Sequence, residues 1–374
     1  MEFQLPIRID PPSRLIDYRD PIMLTGSCFT EHIGNTLQEL KFDTLQNPNG
    51  ILFDPASVAG SLVSYIHNKQ YGEDELVYFN EVWQSWQHHS VFSHTDRAAC
   101  LAAINASQTR AHHFLKKAKW LIITLGTSFS YRLTNEAGAD ANPIANPIAN
   151  LDAHPDACPD ARPHARPVAN CHRAPAQDFQ KHLMTIGEIE SALEDCLRQL
   201  FHYNVNLQVI FTVSPVRHIR DGVIENNRSK ARLIEAVHHL VNAFDKVNYF
   251  PAYELVVDVL RDYRFYDADL VHPNYQATHF VLEKFIRHFV DPSSQQIMEE
   301  IKKIVIARKH KPFQPSTQAH KRFLQDHWQK TNELALRYPF LDLTGELAFF
   351  SAGADDSSAG ANDSSTGAAR SDPD

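Results

Sequence analysis

The chain has 374 residues, 43% apolar and 22% charged, enough to bury one large core or two ordinary ones and too much for a small disulfide-stapled fold. Thirty-six basic side chains against forty-five acidic ones leave a formal charge of -9, which argues against a broad electrostatic grip on nucleic acid. Five cysteines, Cys28, Cys100, Cys158, Cys171 and Cys196, include no C-x-x-C pair, as in a reducing compartment. A cytoplasmic location is expected, and the first eight residues lack the basic run and apolar stretch of a secretion signal. The apolar runs fall far short of the roughly 20 residues that span a bilayer, so neither a membrane nor a nucleic acid is an expected partner.

Taken in chain order, Pro21 to Thr25 reads as a strand, Gly26-Ser27-Cys28 as a tight turn and Phe29 to Leu40 as a helix. Ala98 to Lys117 is Ala-rich and free of Gly and Pro, and the strand Trp120 to Leu125 follows it directly. Ile186, Ile189, Leu193, Leu197 and Leu200 recur at helical spacing before a strand from Leu207 to Val213. A third helix, Ser229 to Phe244, carries Leu233, Val237, Leu240 and Val241 on one face ahead of a short strand, Val247 to Phe250. Such alternation packs best as a parallel sheet covered on both faces, with ligands beyond the strands' carboxyl ends.

Two stretches stand apart from this pattern. Residues 141–169 repeat A-x-P-x, with Pro at 143, 147, 155, 159, 163 and 167, which removes backbone donors and blocks helix; an extended or disordered insert is expected. His154, Cys158 and His164 fall on variable positions of that repeat, with Cys171 and His172 just beyond it, so no metal site is assigned to them. Residues 351–374 hold no side chain larger than Ala that is apolar, and a disordered tail is expected. Between these, residues 291–345 read as a helical extension, one helix carrying Ile297, Ile301, Ile304 and Val305 and another Phe323, His327, Trp328 and Leu334. The domain expected to hold the sheet covers residues 1–290.

The strand, turn and helix at the start put Ser27 at a strand's carboxyl end, where helix N-terminal amides can face a developing oxyanion. The alternative is that Gly26 makes the turn and Ser27 merely caps the helix. Asp269 and His272 stand three residues apart, the spacing of one face of a helical turn, so that Asp269 can hold the Nδ1-H of His272 and leave the other ring nitrogen for the Ser27 proton. Arg217 and His218 leave the strand ending at Val213 on the same side and are candidates for substrate contact, with a structural pairing of Arg217 with Asp221 as the alternative. Cys28 is a rival nucleophile, though adjacent side chains leave a tight turn in different directions.

Gly26-Ser27-Cys28-Phe29 followed by Thr30, then Asn47-Pro48-Asn49-Gly50-Ile51-Leu52, Leu125-Gly126-Thr127, Ala169-Asn170-Cys171-His172, Thr212-Val213-Ser214-Pro215-Val216-Arg217-His218 and Asp269-Leu270-Val271-His272-Pro273-Asn274, resemble the GSCFA domain family of the SGNH/GDSL hydrolase superfamily over roughly residues 3–290. The family name has Ala where this chain has Thr30. The resemblance implies a three-layer α/β/α, flavodoxin-like fold and a serine hydrolase acting on ester bonds, with no cofactor and with a small-molecule or saccharide ester as substrate. Ser27 would be the nucleophile, His272 the base and Asp269 its orienting acid. Gly50 and the backbone of Ser27 or Cys28 would form part of the oxyanion hole. Superfamily enzymes carry G-x-N at the third block, where this chain has Gly126-Thr127-Ser128, so either a hydroxyl there replaces the donor or an Asn comes from another loop. Asn170 is the favoured donor, with an Asx-type turn on its own backbone as the alternative, and Asn47 is the rival and a candidate substrate-binding group. A domain serving as a binding or scaffolding module, or an O-acyltransferase using the same site, are the other readings.

Overall fold

A computed structural model of the chain describes residues 5–134 and 167–355, with side chains through Ser351. Residues 141–166 of the repeat and 356–374 of the tail therefore lie outside the described residues. Contacts divide the chain into one unit of residues 1–37 and 43–291 and a second of residues 38–42 and 292–374.

In the first unit β1 (Ile22–Gly26) runs into α1 (Cys28–Glu39) and returns as β2 (Thr44–Gln46). Helix α2 (Pro55–Ile66) starts where the Asp54 carboxylate accepts from the Ser57 amide, and a hairpin of β3 (Val77–Phe79) and β4 (Val82–Gln84) follows. Asp96 caps α3 (Arg97–Lys117) in the same way before β5 (Trp120–Leu125). A small antiparallel sheet, β6 (Phe129–Leu133), β7 (Pro167–Val168) and β8 (Phe179–Leu183), interrupts the alternation. It resumes through α4 (Ile186–Tyr203), which opens on a Thr185–Glu188 capping box, then β9 (Gln208–Val213), α5 (Gly222–Ala243) and β10 (Val247–Tyr249). One turn, α6 (Ala252–Glu254), and a wide turn at Leu255–Leu260 lead to α7 (Tyr275–Phe289).

The sheet order is β10-β9-β5-β1-β2, every pair parallel. Counting only these five strands, that is the 2-1-3-4-5 order of flavodoxin-like doubly wound folds, whose switch point lies between the first and third strands. Here those are β1 and β5, registered from Ile22 opposite Trp120 to Gly26 opposite Thr124. Alternate strand residues, Met23, Leu121, Ile123, Leu125, Val209, Phe211 and Val213, share a core with Leu62, Leu115, Leu193, Leu197, Leu233 and Val237 from α2 to α5. Ile22, Leu24, Trp120, Ile122 and Ile210 are buried as well and point to the other face, the side that right-handed crossovers leave to α1 and α7. Burial on both faces is why the strands read as unbroken apolar runs.

Three details differ from the sequence expectation. Helix α5 begins at Gly222, not near Ser229, because its first two turns are largely polar and carry no apolar stripe. The strand β6 alternates polar with apolar residues and β8 carries three polar residues between Phe179 and Leu183, so neither forms an apolar run. In the second unit, α8 (Pro292–Lys309) and α9 (Gln318–Arg337) are joined by a further helix, α10 (Thr344–Asp355), which takes in the first five residues of the segment expected to be disordered. Glu346 of α10, 3% exposed at its side chain, pairs with Lys41 at 2.8 Å and Arg308 at 2.6 Å. Among the described residues no helix is long and apolar enough to cross a membrane.

Candidate active site

The turn after β1 is held from both sides. Gly26 sits at φ +140, where a Cβ would come within 2.2 Å of the Thr124 carbonyl oxygen, so only glycine lets β1 and β5 approach this closely. The Ser27 amide donates to that carbonyl at 3.1 Å, and the Gly26 amide donates to Asn47 Oδ1 at 3.0 Å. Ser27 is 3% exposed, and its Oγ has no hydrogen-bond partner among the described residues, so the hydroxyl does not cap α1. Burial, and then Glu31, pushes the neighbouring Cys28 thiol above its ordinary range, which keeps it protonated at neutral pH and removes the thiolate that a cysteine nucleophile needs.

Asp269 and His272 meet, but not on a helix. They lie in a turn before α7 in which Asp269 Oδ1 accepts from the Val271 amide at 2.9 Å and the His272 amide at 3.0 Å, while Oδ2 takes the imidazole Nδ1-H at 2.6 Å. Leu270 adopts φ +59 inside the turn, a conformation no helix contains. The helix itself starts at Asn274, whose side chain accepts from Ala277. The hydrogen bond from His272, reinforced by the two amides, holds the Asp269 carboxyl down at about 2, so it is ionised at neutral pH. The imidazole is thereby fixed through Nδ1, with Nε2 left as its working nitrogen.

Arg217 ties this turn to the sheet. Its guanidinium donates to the Leu270 carbonyl at 3.1 Å and stacks on Tyr266 at 4.2 Å, and its amide donates to the Val271 carbonyl at 3.3 Å. The suggested partner Asp221 binds Lys181 instead. Next to it, the His218 amide donates to Asn226 Oδ1 at 2.9 Å, and the ring lies 5.1 Å from that of Phe53. Its Nε2 is 3.2 Å from where a Cβ on Gly126 would stand. Burial, then the charge of Lys230, lowers His218 to about 4, and His272 contributes to the same shift. His218 thus stands beside Gly126 at the carboxyl end of β5 and His272 is close enough to act on its charge, while the Ser27 Oγ at the carboxyl end of β1 forms no hydrogen bond with His272.

The oxyanion donors read from the sequence fare differently. The Gly50 amide donates to the Asn47 carbonyl at 2.7 Å within a turn at φ +77, which occupies the hydrogen it would have offered. Asn170 Oδ1 accepts from the His172 amide at 2.9 Å, an Asx turn on its own backbone. Asn47 has its Oδ1 on Gly26, which orients the amide, and its Nδ2 is buried without a partner. At the third block, the Thr127 hydroxyl pairs with Ser229 Oγ at 2.9 Å and the Ser128 amide donates to the same oxygen at 2.7 Å, while the Ser128 hydroxyl is buried with no partner. The Cys28 amide is the first of α1 and has no preceding helical turn to accept it.

Sequence reasoning overlooked Asn226, Ser229 and Lys230, all buried on α5 beside these loops. A signal exists: the three are in phase with Leu233, Val237 and Leu240, so polar side chains continue the apolar stripe toward the helix N-terminus.

Residues 21–153 and 160–285 match the model of the GSCFA family, and residues 301–354 match that of the GSCFA domain protein, C-terminal domain. No curated protein matches the chain. Among solved structures, the acetyl xylan esterase Est2A from the rumen bacterium Butyrivibrio proteoclasticus is similar at 13% identity with a TM-score of 0.31, over 72% of this chain and 63% of its own. The chain thus spans less than two thirds of that esterase.

Proposed function

We propose, from the premise that the chain belongs to the GSCFA family, that it is a serine hydrolase of ester bonds with Ser27 as nucleophile, His272 as general base and Asp269 as the acid that orients it. What supports this reading is the 2.6 Å Asp269–His272 pair, in a turn that Arg217 ties to the loop after β9, together with the buried, unpartnered Ser27 hydroxyl at the carboxyl end of β1. In the proposed cycle Ser27 Oγ attacks the ester carbonyl while His272 Nε2 takes its proton. The imidazolium that forms is stabilised by Asp269 and returns the proton to the leaving alcohol, after which water, giving its proton to His272, attacks the acyl-serine, the acyl–Oγ bond breaks, and the proton returns to Ser27 Oγ as the acid leaves. Asn47 Nδ2 and the Cys28 amide are the proposed donors to the tetrahedral oxyanion, in place of Gly50 and Asn170. The absence of a Ser27–His272 hydrogen bond fits a pair that tightens on substrate, as catalytic hydrogen bonds do. It also supports the second reading, a domain that binds a partner without turnover.

A fluorophosphonate probe separates the two, since it reacts only with an activated serine. Labelling of the whole protein that disappears in Ser27→Ala and falls at least about 100-fold in His272→Ala is the expected result. An unlabelled wild-type protein would leave the binding-module reading.

A further inference from the structure

Lys230 is a buried group near Ser27 for which that cycle has no use. It is 2% exposed, and its Nζ donates to the Gly126 carbonyl at 2.5 Å and the Ser214 carbonyl at 2.6 Å. No carboxylate lies within ion-pair distance of it among the described residues. Stripping an ammonium of water costs several kcal/mol, so an apolar side chain would serve better if packing were the only purpose. The groups that face it are the Cys28 thiol from α1, His218 from the loop after β9, the Tyr253 ring from α6 at 6.0 Å and the two carbonyls that end β5 and β9. None of these carries a negative charge while Cys28 stays a thiol, and Cys28 is the residue that follows Ser27 in its turn. The anion that would complete such an environment is one that forms only during attack on a carbonyl.

We propose that Lys230 is a positioning residue of the Ser27 site, joining the ends of β5 and β9 and, while protonated, supplying a positive potential to the tetrahedral intermediate. The proposal rests on the hydrolase reading above. Because the two carbonyls anchor the ammonium, the field is in place before the reaction and needs no reorganisation when charge develops.

The test is the second-order rate of fluorophosphonate labelling between pH 5.5 and 9.5, for wild type, Lys230→Met and Ser27→Ala, with folding checked by circular dichroism at each pH. Burial lowers the ammonium to about 7, so the wild-type rate should fall on the alkaline side as the proton is lost. Folded Lys230→Met should label about 100-fold more slowly and show no alkaline fall. A Lys230→Met protein that labels as fast as wild type with the same profile would overturn the proposal while leaving the hydrolase reading intact. If Lys230→Met does not fold, Lys230→Gln, which keeps a hydrogen-bond donor for one carbonyl without the charge, takes its place: folded protein labelled about 100-fold more slowly supports the proposal, and a wild-type rate overturns it. A wild type that is unlabelled at every pH removes both.

Discussion

At Asn47 a single side chain answers two demands. Its Oδ1 holds the Gly26 amide, and because that bond fixes which end of the carboxamide faces the turn, Nδ2 is left buried with no acceptor. Asn tolerates the φ of +43 that the loop imposes, which few other side chains do. Asn47→Asp keeps an oxygen for Gly26 and removes the donor, so kcat on a short aryl ester should fall about 10²- to 10³-fold with KM nearly unchanged. Asn170→Ala should stay within about twofold of wild type, since its Asx turn ties the carboxamide to its own loop, whereas Asn47 is bonded to the residue next to Ser27. The opposite pattern would move the donor role to Asn170.

Among the elements, the turn that carries Asp269 and His272 matters most, and it has little packing of its own: both side chains are about half exposed, at 47% and 48%. What holds it is an isolated bridge between Tyr266 and Pro273, the Asp267 amide on the His272 carbonyl at 2.8 Å, and Arg217 reaching across to Leu270. Arg217→Ala removes the last of these while leaving Asp269 on His272. A slightly misplaced base is costly, so kcat should drop about 10- to 100-fold with the melting temperature almost unchanged. Arg217→Lys, which cannot stack on Tyr266 in the same way, should recover little of it. Full activity in Arg217→Ala would show that the turn keeps its own shape.

For the whole molecule, the five-stranded parallel order with its flanking helices makes the framework α/β, and the second unit adds three helices with a polar anchor at Glu346. Glu346→Ala would leave Lys41 and Arg308 without their shared acid at a nearly closed position. Because the two cations reach water, the expected loss is about 2 kcal/mol, read as a lower denaturation midpoint, and a loss under about 0.5 kcal/mol would mark the pair as incidental. The parallel sheet was legible in the sequence because strands buried on both faces leave unbroken apolar runs, and amphipathic helices leave a stripe at helical spacing. Ser27 after the first strand and the Asp269–His272 spacing were legible too, being set by neighbours in the chain. The tertiary structure alone decided the rest, since it turned on which backbone groups from distant segments meet. Gly50 loses its amide to Asn47, Asn170 closes on His172, Asp269 reaches His272 through a turn and not a helix, and Lys230 finds two carbonyls from strands far apart in the chain. Residue type and spacing carry periodicity and local turns; the satisfaction of buried donors and acceptors depends on the packed loops.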